Sequence, residues 1–141
     1  MIAHDDPKLI ALLSSYRSLL GEGLCSPKDL FDAPFVVLAH GIEDLPILFY
    51  GNRMALELWE QDFDHFTKMP SQNTAEPDLR EAREVLLKEV ATRGFSTGYN
   101  GVRVSFTGKR FEIQRATVWN IVDHRQQRIG QAATFTSFRR L

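Results

Sequence analysis

Hydrophobic residues recur at helical spacing near the start of the chain. Asp6 precedes Pro7, the order expected of a helix N-cap and a first helical residue, and the pattern ends at Gly21. The apolar positions between them are Leu9, Ile10, Leu12, Leu13, Tyr16, Leu19 and Leu20. The spacing predicts an amphipathic helix whose broad apolar stripe packs on the core of its own domain or on a second copy of the chain.

The next segments change from strand patterns to helix patterns. Residues 33–41 (APFVVLAHG) and 47–52 (ILFYGN) are rich in Val, Phe and Leu and flank a run of turn residues, which predicts a β-hairpin. Asn52 is then placed to cap a helix over residues 53–61, and residues 62–66 provide one further helical turn. Two short helices are therefore expected after the hairpin.

The second half of the chain begins with the longest predicted helix, over residues 77–93. Pro77 is suited to its first turn and Gly94 to its end. The positions expected on its buried face are Leu79, Ala82, Leu86 and Val90. Three long strands separated by polar turns follow, at 99–106, 109–122 and 128–138.

Composition narrows the class of protein. The 141 residues include 17 basic and 18 acidic side chains, for a formal charge of −1, so we expect neither a nucleic-acid-binding nor an anionic-membrane surface. Cys25 is the single cysteine, which excludes an internal disulfide and a cysteine-based zinc site and suits a reducing compartment. No apolar run has the length of a signal peptide core or a membrane span. We therefore expect a cytoplasmic domain without a metal site.

Several separated motifs are similar in order and spacing to one family. FYGNRMALELWE, MPSQNTAEP, GFSTGYNGVRVSFTGKRFEIQRATVWNIVD and GQAATFTSF resemble the MEKHLA domain, a family related to PAS sensors that occurs in stand-alone bacterial proteins and at the end of certain plant homeodomain regulators. The resemblance covers roughly residues 34–138. It implies an α+β, PAS-like fold with a five-stranded antiparallel sheet and helices on one face. We accordingly divide the chain into an N-terminal helical segment, 1–33, which serves as a dimer element or cap, and a PAS-like MEKHLA domain, 34–141.

A PAS-like fold encloses a pocket between its helices and one face of its sheet, so strand alternation predicts the lining. In the central strand, Phe111, Ile113, Arg115, Thr117, Trp119 and Ile121 share the face with more apolar bulk. We assign this face to the pocket, together with Gln131, Ala133 and Phe135 of the last strand. Aromatic residues that would complete the walls, or would otherwise pack in the core, are Trp59, Phe63, Phe66, Tyr99 and Trp119. The candidate ligand-binding residues are Trp59, Phe63, Phe66, Tyr99, Arg115, Thr117, Trp119, Gln131 and Ala133.

Arg115 and Gln131 are the polar members of this mostly apolar set. They are expected to orient a small ligand, for instance one whose carboxylate the planar guanidinium could bind in bidentate fashion. The alternative is that Arg115 pairs with Glu112 or with a helix carboxylate and that Gln131 bonds to the backbone, as polar residues in half-exposed sheets commonly do.

The resemblance leaves the cofactor unknown. Flavin-binding photosensors of the PAS class carry a reactive cysteine after the second strand, and residues 52–75 contain none. Haem-binding relatives present a histidine from the long helix, and residues 77–93 contain none. His65 on a neighbouring short helix is the one axial-ligand candidate near the pocket, with a surface or capping role as the alternative.

Three functions remain open. The leading hypothesis is a small-molecule sensor without its own output domain, which signals through its first helix at a homodimer interface and reaches an unknown protein partner. The second is a protein-interaction domain without a ligand. The third is a small α+β enzyme of the isomerase or dehydratase type, for which Glu112 and Asp123 are the available bases. No nucleophile and base pair, metal cluster or phosphate loop is recognisable, so we do not predict an enzyme.

Overall fold

The computed structural model of the chain describes residues 2–76 and 80–141. The helices are α1 (Pro7–Leu20), α2 (Arg53–Trp59), α3 (Phe63–Phe66) and α4 (Arg80–Arg93), with a 3₁₀ helix at Ser71–Thr74 between α3 and α4. The strands are β1 (Val36–His40), β2 (Leu48–Gly51), β3 (Phe95–Val104), β4 (Arg110–Val122), β5 (Arg128–Phe135) and β6 (Ser137–Arg140). None of the helices in the described part of the chain has the length and apolar character needed to span a membrane.

All the strands belong to one antiparallel sheet in the order β2-β1-β5-β4-β3, with β6 also paired to β4. The sheet has six strands rather than the predicted five because the last predicted strand is interrupted at Thr136. Its first part, β5, pairs with residues 117–122 of β4, and its second part, β6, pairs with residues 111–114.

The interruption lies opposite a bulge in β4. Tyr99 of β3 pairs with Ala116 and Gly101 pairs with Ile113, so Asn100 alone faces the two residues Gln114 and Arg115. The backbone of Arg115 adopts a left-handed conformation with φ of 54°. A bulge of this kind inserts one residue into the strand, and every later side chain is shifted to the opposite face.

Helix α1 begins and ends as the sequence predicts. The Asp6 carboxylate accepts a hydrogen bond from the Lys8 backbone N–H at 2.8 Å, and Gly21 ends the helix in the left-handed region at φ of 82°. The apolar stripe packs on the sheet of its own chain, where Leu9, Leu12 and other members are buried. Most of the stripe that motivated the homodimer prediction is therefore covered by the chain's own sheet, and Ile10 is the member that stays exposed.

The two faces of the sheet carry separate parts of the core. Helix α1 covers one face, where Trp119 and Ile121 of β4 are completely buried. Helices α2 and α3 and part of α4 lie on the other face, against Phe111, Ile113 and Val118. Helices thus occur on both faces, with the N-terminal helix opposite the rest.

A buried asparagine joins the first hairpin to α2. The Asn52 side chain caps the helix by accepting a hydrogen bond from Ala55 N at 3.2 Å and also accepts one from Val37 N at 3.0 Å. Its amide donates to the Leu30 and Phe35 carbonyls at 3.2 and 2.7 Å. The cap predicted from sequence is confirmed, and the same side chain satisfies the loop before β1.

Helix α4 differs in part from its predicted buried face. Val90 is buried and Leu86 partly buried, as predicted, but Ala82 is exposed. The predicted start at Pro77 and the predicted contact of Leu79 lie outside the described residues. At the C-terminal end, Gly94 N–H bonds to the Val90 carbonyl at 3.0 Å, which fixes the turn into β3.

Candidate functional site

A cavity of about 730 Å³ lies between the sheet and the segments around α4. Its floor is the sheet face opposite α1, and its rim includes the 3₁₀ helix and the loop before β2. The apolar part of the lining includes Leu38, Leu48, Trp59, Ile113, Val118, Ala133 and Phe135, with Leu45, Leu86 and Leu87 at the rim. The volume is within the range of natural small-molecule sites, about 300–1,000 Å³.

Four of the predicted site residues line this cavity: Trp59, Tyr99, Gln131 and Ala133. Gln131 and Ala133 project from β5 on the same face because they are two residues apart in a strand. The Gln131 amide makes no side-chain hydrogen bond to any of the described residues, and it is only partly buried. It is therefore available to a molecule in the cavity.

Trp59 forms the wall at the C-terminal end of α2. Its ring is fully buried, with edge-to-face contacts to Phe66, Phe111 and Phe135 at centroid distances of 6.2, 5.2 and 6.3 Å. Its indole N–H donates to the Thr74 carbonyl at 3.1 Å. This bond holds the 3₁₀ helix, which forms part of the cavity rim, against the buried Trp59 ring.

The assignment of Arg115, Thr117 and Trp119 to the pocket is wrong. Arg115 is exposed, and its Nη2 donates to the Ser137 hydroxyl at 2.8 Å. The bulge at Arg115 shifts the later residues of β4, so Ala116 and Val118 face the cavity side and Trp119 faces α1, where its indole N–H donates to the Leu12 carbonyl at 3.1 Å. The predicted alternation holds only before the bulge.

Phe63 and Phe66 also lie outside the cavity lining. Phe66 is completely buried in the core beside Trp59, and its ring fills the space over Gly51. Phe63 packs edge-to-face on Tyr50, with ring centroids 6.1 Å apart. Both aromatic side chains are packing residues that support the walls.

Polar residues that the sequence analysis did not select also line the cavity: His40, Gln72, Asn73, Glu76, Arg103 and Arg128. His40 is the last residue of β1 and pairs with Gln131 of β5. The sequence alone could not place His40 at the cavity, because the pairing of β1 with β5 brings together two residues that are 91 positions apart.

Arg103 and Glu76 both line the cavity near the start of β4, where Ala75 forms a β-bridge with Arg103. Arg103 Nη2 lies 3.5 Å from the Tyr99 hydroxyl, and its guanidinium stacks over the Tyr99 ring at 5.6 Å. The Glu76 carboxylate accepts two hydrogen bonds from Arg110, at 2.5 and 3.0 Å, and these bonds lower the pKa of Glu76. Glu76 is therefore a charged, paired rim residue.

His65 lies outside the cavity lining and has the surface position that was the alternative to an axial-ligand role. Its side chain is 74% exposed, and its Nδ1 lies 2.7 Å from the Asp62 carboxylate that also caps α3. Across residues 2–76 and 80–141 there is no group of three or more His, Cys, Asp or Glu side chains arranged to hold a metal ion. Cys25 is partly buried, and burial raises the pKa of its thiol.

The order of the strands, helices α2 to α4 over one face of the sheet and the partly enclosed cavity between them define a PAS-like fold. The structure is similar to the PAS domain of a protein from Colwellia psychrerythraea, with a TM-score of 0.65 and 14% identity over 81% of this chain and 92% of that one. It is also similar to a light-oxygen-voltage domain studied with a flavin analogue (TM-score 0.62, 14% identity, 82% of this chain and 83% of that one). A PAS domain from a two-component sensor histidine kinase gives a TM-score of 0.58 at 15% identity, over 79% of this chain and 89% of that one.

The MEKHLA domain model matches residues 8–140, and the chain belongs to the MEKHLA domain family. The match begins within α1, so it extends further toward the N-terminus than the motifs that carry the resemblance in sequence. No curated protein sequence matches the chain.

Proposed function

We propose that this domain is a sensory module that binds a small molecule in the cavity between the sheet and the segments around α4. The cavity carries the proposal: its walls combine apolar side chains with a few polar groups, as in natural ligand sites. The PAS-like fold supports a sensory role, since the similar solved structures include a PAS domain from a sensor histidine kinase.

The sheet supplies a route from the cavity to α1. Val118 and Trp119 are consecutive residues of β4 and face opposite sides, Val118 into the cavity and Trp119 under α1. The Ser15 hydroxyl of α1 accepts a hydrogen bond from the backbone N–H of Val122, at the end of β4, at 2.9 Å. We propose that occupancy alters the packing of β4 under α1 and that a separate cytoplasmic protein reads this change.

A binding role is favoured over catalysis. Glu112 lies beside Gln114 and Arg139 outside the cavity lining, and Asp123 accepts backbone hydrogen bonds in the turn before β5. Among the described lining residues Glu76 is the carboxylate, and it is paired with Arg110. A general base would need a carboxylate or imidazole positioned on a reacting proton; the two predicted candidates lie outside the lining, and the imidazole that does line it, His40, has its Nδ1 2.8 Å from the Gly41 carbonyl oxygen.

The test is native mass spectrometry of protein purified from its own host, with a variant that fills the cavity. Ala133→Phe adds a ring to the cavity wall, and Thr97→Phe adds the same ring at an exposed position of β3. We expect a bound small molecule on the wild type and on Thr97→Phe, and none on Ala133→Phe with an unchanged circular dichroism spectrum. A wild-type protein that carries no small molecule and binds none from a metabolite extract would contradict the proposal and favour the interaction domain.

A further inference from the structure

The charged side chains that line the cavity are predominantly cationic. Arg103 and Arg128 each contribute a guanidinium. Glu76 is the one carboxylate among the described lining residues, and its charge is offset by Arg110 from outside the lining. Arg128 is solvent-exposed where it lines the cavity, so it attracts an anion as a partly solvated charge, and charge-assisted hydrogen bonds supply the selectivity.

One end of the cavity brings together Arg128, Gln131 and His40, which we call the polar end. His40 and Gln131 are direct partners across β1 and β5, and Gln131 is the partner of Asn120 across β5 and β4. Directly opposite residues of an antiparallel pair share a face, so His40, Gln131 and Asn120 lie next to one another on the cavity side, and Arg128 joins them through its bond to Asn120.

Arg128 is oriented by a neutral residue. Its Nε donates to the Asn120 Oδ1 at 3.0 Å, and the Asn120 amide in turn donates to the Val90 carbonyl of α4 at 3.3 Å. Its terminal nitrogens have no hydrogen bond or ion pair to the described residues. The guanidinium is therefore held in position while its charge and its two terminal amino groups stay available at the cavity.

The lining next to the polar end is apolar. Val118 and Ala133 are cross-strand partners on the cavity face, and Leu38 is the partner of Ala133 on its other side. Ile113 and Phe135 continue this surface away from the polar end. The cavity thus presents one cationic end followed by an extended hydrocarbon surface.

We propose that the ligand has an apolar body and one anionic group, a carboxylate or a phosphate monoester, and that Arg128 and Gln131 bind the anionic group at the polar end. The guanidinium matches the planar or tetrahedral arrangement of oxyanion oxygens, and the Gln131 amide supplies a further N–H donor. The apolar body covers Val118, Ala133 and Leu38. This inference rests on the proposed ligand-binding function.

The test compares probes that share a body and differ in the polar group. Decanoate, decyl phosphate and decan-1-ol are titrated into the full chain by isothermal calorimetry. We expect at least one of the two anions to bind about tenfold or more tightly than the alcohol, which corresponds to a charge-assisted hydrogen bond. The stronger of the two anions identifies carboxylate or phosphate as the group recognised.

Two arginine variants locate the anionic group. Arg128→Gln removes the charge and retains an amide near Asn120, and Arg125→Gln removes a charge from the exposed turn before β5, outside the lining. We expect Arg128→Gln to reduce the affinity for the anion about tenfold and to leave decan-1-ol binding unchanged, with Arg125→Gln equal to the wild type.

Equal affinity of the alcohol and both anions, or an Arg128→Gln variant with wild-type anion affinity, would overturn the anion assignment and leave the ligand-binding function standing. Failure of all three probes to bind would overturn the anion assignment as stated for this body. The proposed function itself fails only if the purified protein also lacks a bound small molecule and binds none from extract.

Discussion

The backbone N–H of Arg115 donates a hydrogen bond to the side-chain Oδ1 of Asn100, 2.9 Å away across the β3–β4 pair. This contact satisfies the N–H that the bulge removes from the regular ladder, and it accompanies the left-handed conformation of Arg115. The direction of every side chain after Arg115 in β4 follows from this one relationship, including which of them face the cavity.

We predict opposite effects of substitutions at these two positions. Asn100→Ala is expected to lower the free energy of unfolding by about 1 kcal/mol, because the Arg115 N–H loses its partner. Arg115→Gly is expected to leave it unchanged or raise it by up to about 1 kcal/mol, since glycine adopts positive φ without the steric cost. Urea denaturation measures both, with Thr97→Ala on the same strand as the control. Strong destabilisation by Arg115→Gly would show that the side-chain bond to Ser137 is what maintains the bulge.

Local signals in the sequence were sufficient for both ends of α1 and the start of α2, and insufficient for the sheet. Asp6, Pro7 and Gly21 act within one turn of α1, and Asn52 caps the helix next to it, so short-range chemistry located these boundaries. The bulge depends on Asn100, fifteen residues from Arg115. After the bulge both faces of β4 are buried, Ala116 and Val118 on the cavity side and Trp119 and Ile121 under α1, so the shift leaves no simple alternation to detect.

The candidate site was predictable only in part for the same reason. Trp59, Gln131 and Ala133 were found because aromatic character and regular alternation are local features. His40 and Arg128 were missed because their roles depend on strand register and on contacts with Gln131 and Asn120. MEKHLA membership implied the fold but not the direction of the individual side chains.

Trp119 attaches α1 to the sheet, and its removal should release the helix. Trp119→Phe loses the hydrogen bond to the Leu12 carbonyl and part of the ring that contacts Tyr16 edge-to-face at 4.9 Å. We expect a loss of about 2 kcal/mol in the free energy of unfolding. Hydrogen exchange should rise most in the α1 amides. Unchanged protection of α1 relative to β3 and β4 would contradict this attachment.

Gly130 allows β1 and β5 to approach at the polar end. A Cβ placed there would lie 2.3 Å from the His40 carbonyl oxygen, a backbone atom that cannot move aside alone. Gly130→Ala is therefore expected to lower the free energy of unfolding by about 1–3 kcal/mol and to separate His40 from Gln131. Thermal denaturation measures the loss of stability, and titration with decanoate and decyl phosphate measures the change at the polar end.

Gly23→Ala is the matched control for Gly130→Ala, because its added Cβ meets only the Arg17 side chain at 3.6 Å. It should have wild-type stability and wild-type probe affinity. A Gly130→Ala protein that matched this control in both measurements would show that β1 and β5 tolerate a wider spacing than the structure has.

Glu60 connects the end of α2 to the turn between β3 and β4 and should make stability depend on pH. Its carboxylate accepts hydrogen bonds from Ser105, at 2.6 Å, and from Thr107, with Lys109 3.2 Å away, and these contacts lower its pKa to about 2 from an ordinary value of 4.5. Because the folded pKa is the lower one, the stabilisation is fully present above about pH 4.5 and is lost as the pH falls through about 2. Glu60→Gln should therefore be less stable than the wild type at pH 7, and the two proteins should converge near pH 2. Urea midpoints of the two proteins at pH 7, 4 and 2.5 test this, with Glu57→Gln in α2 as the control. A constant difference in stability across that pH range would show that the carboxylate charge is not what stabilises the turn.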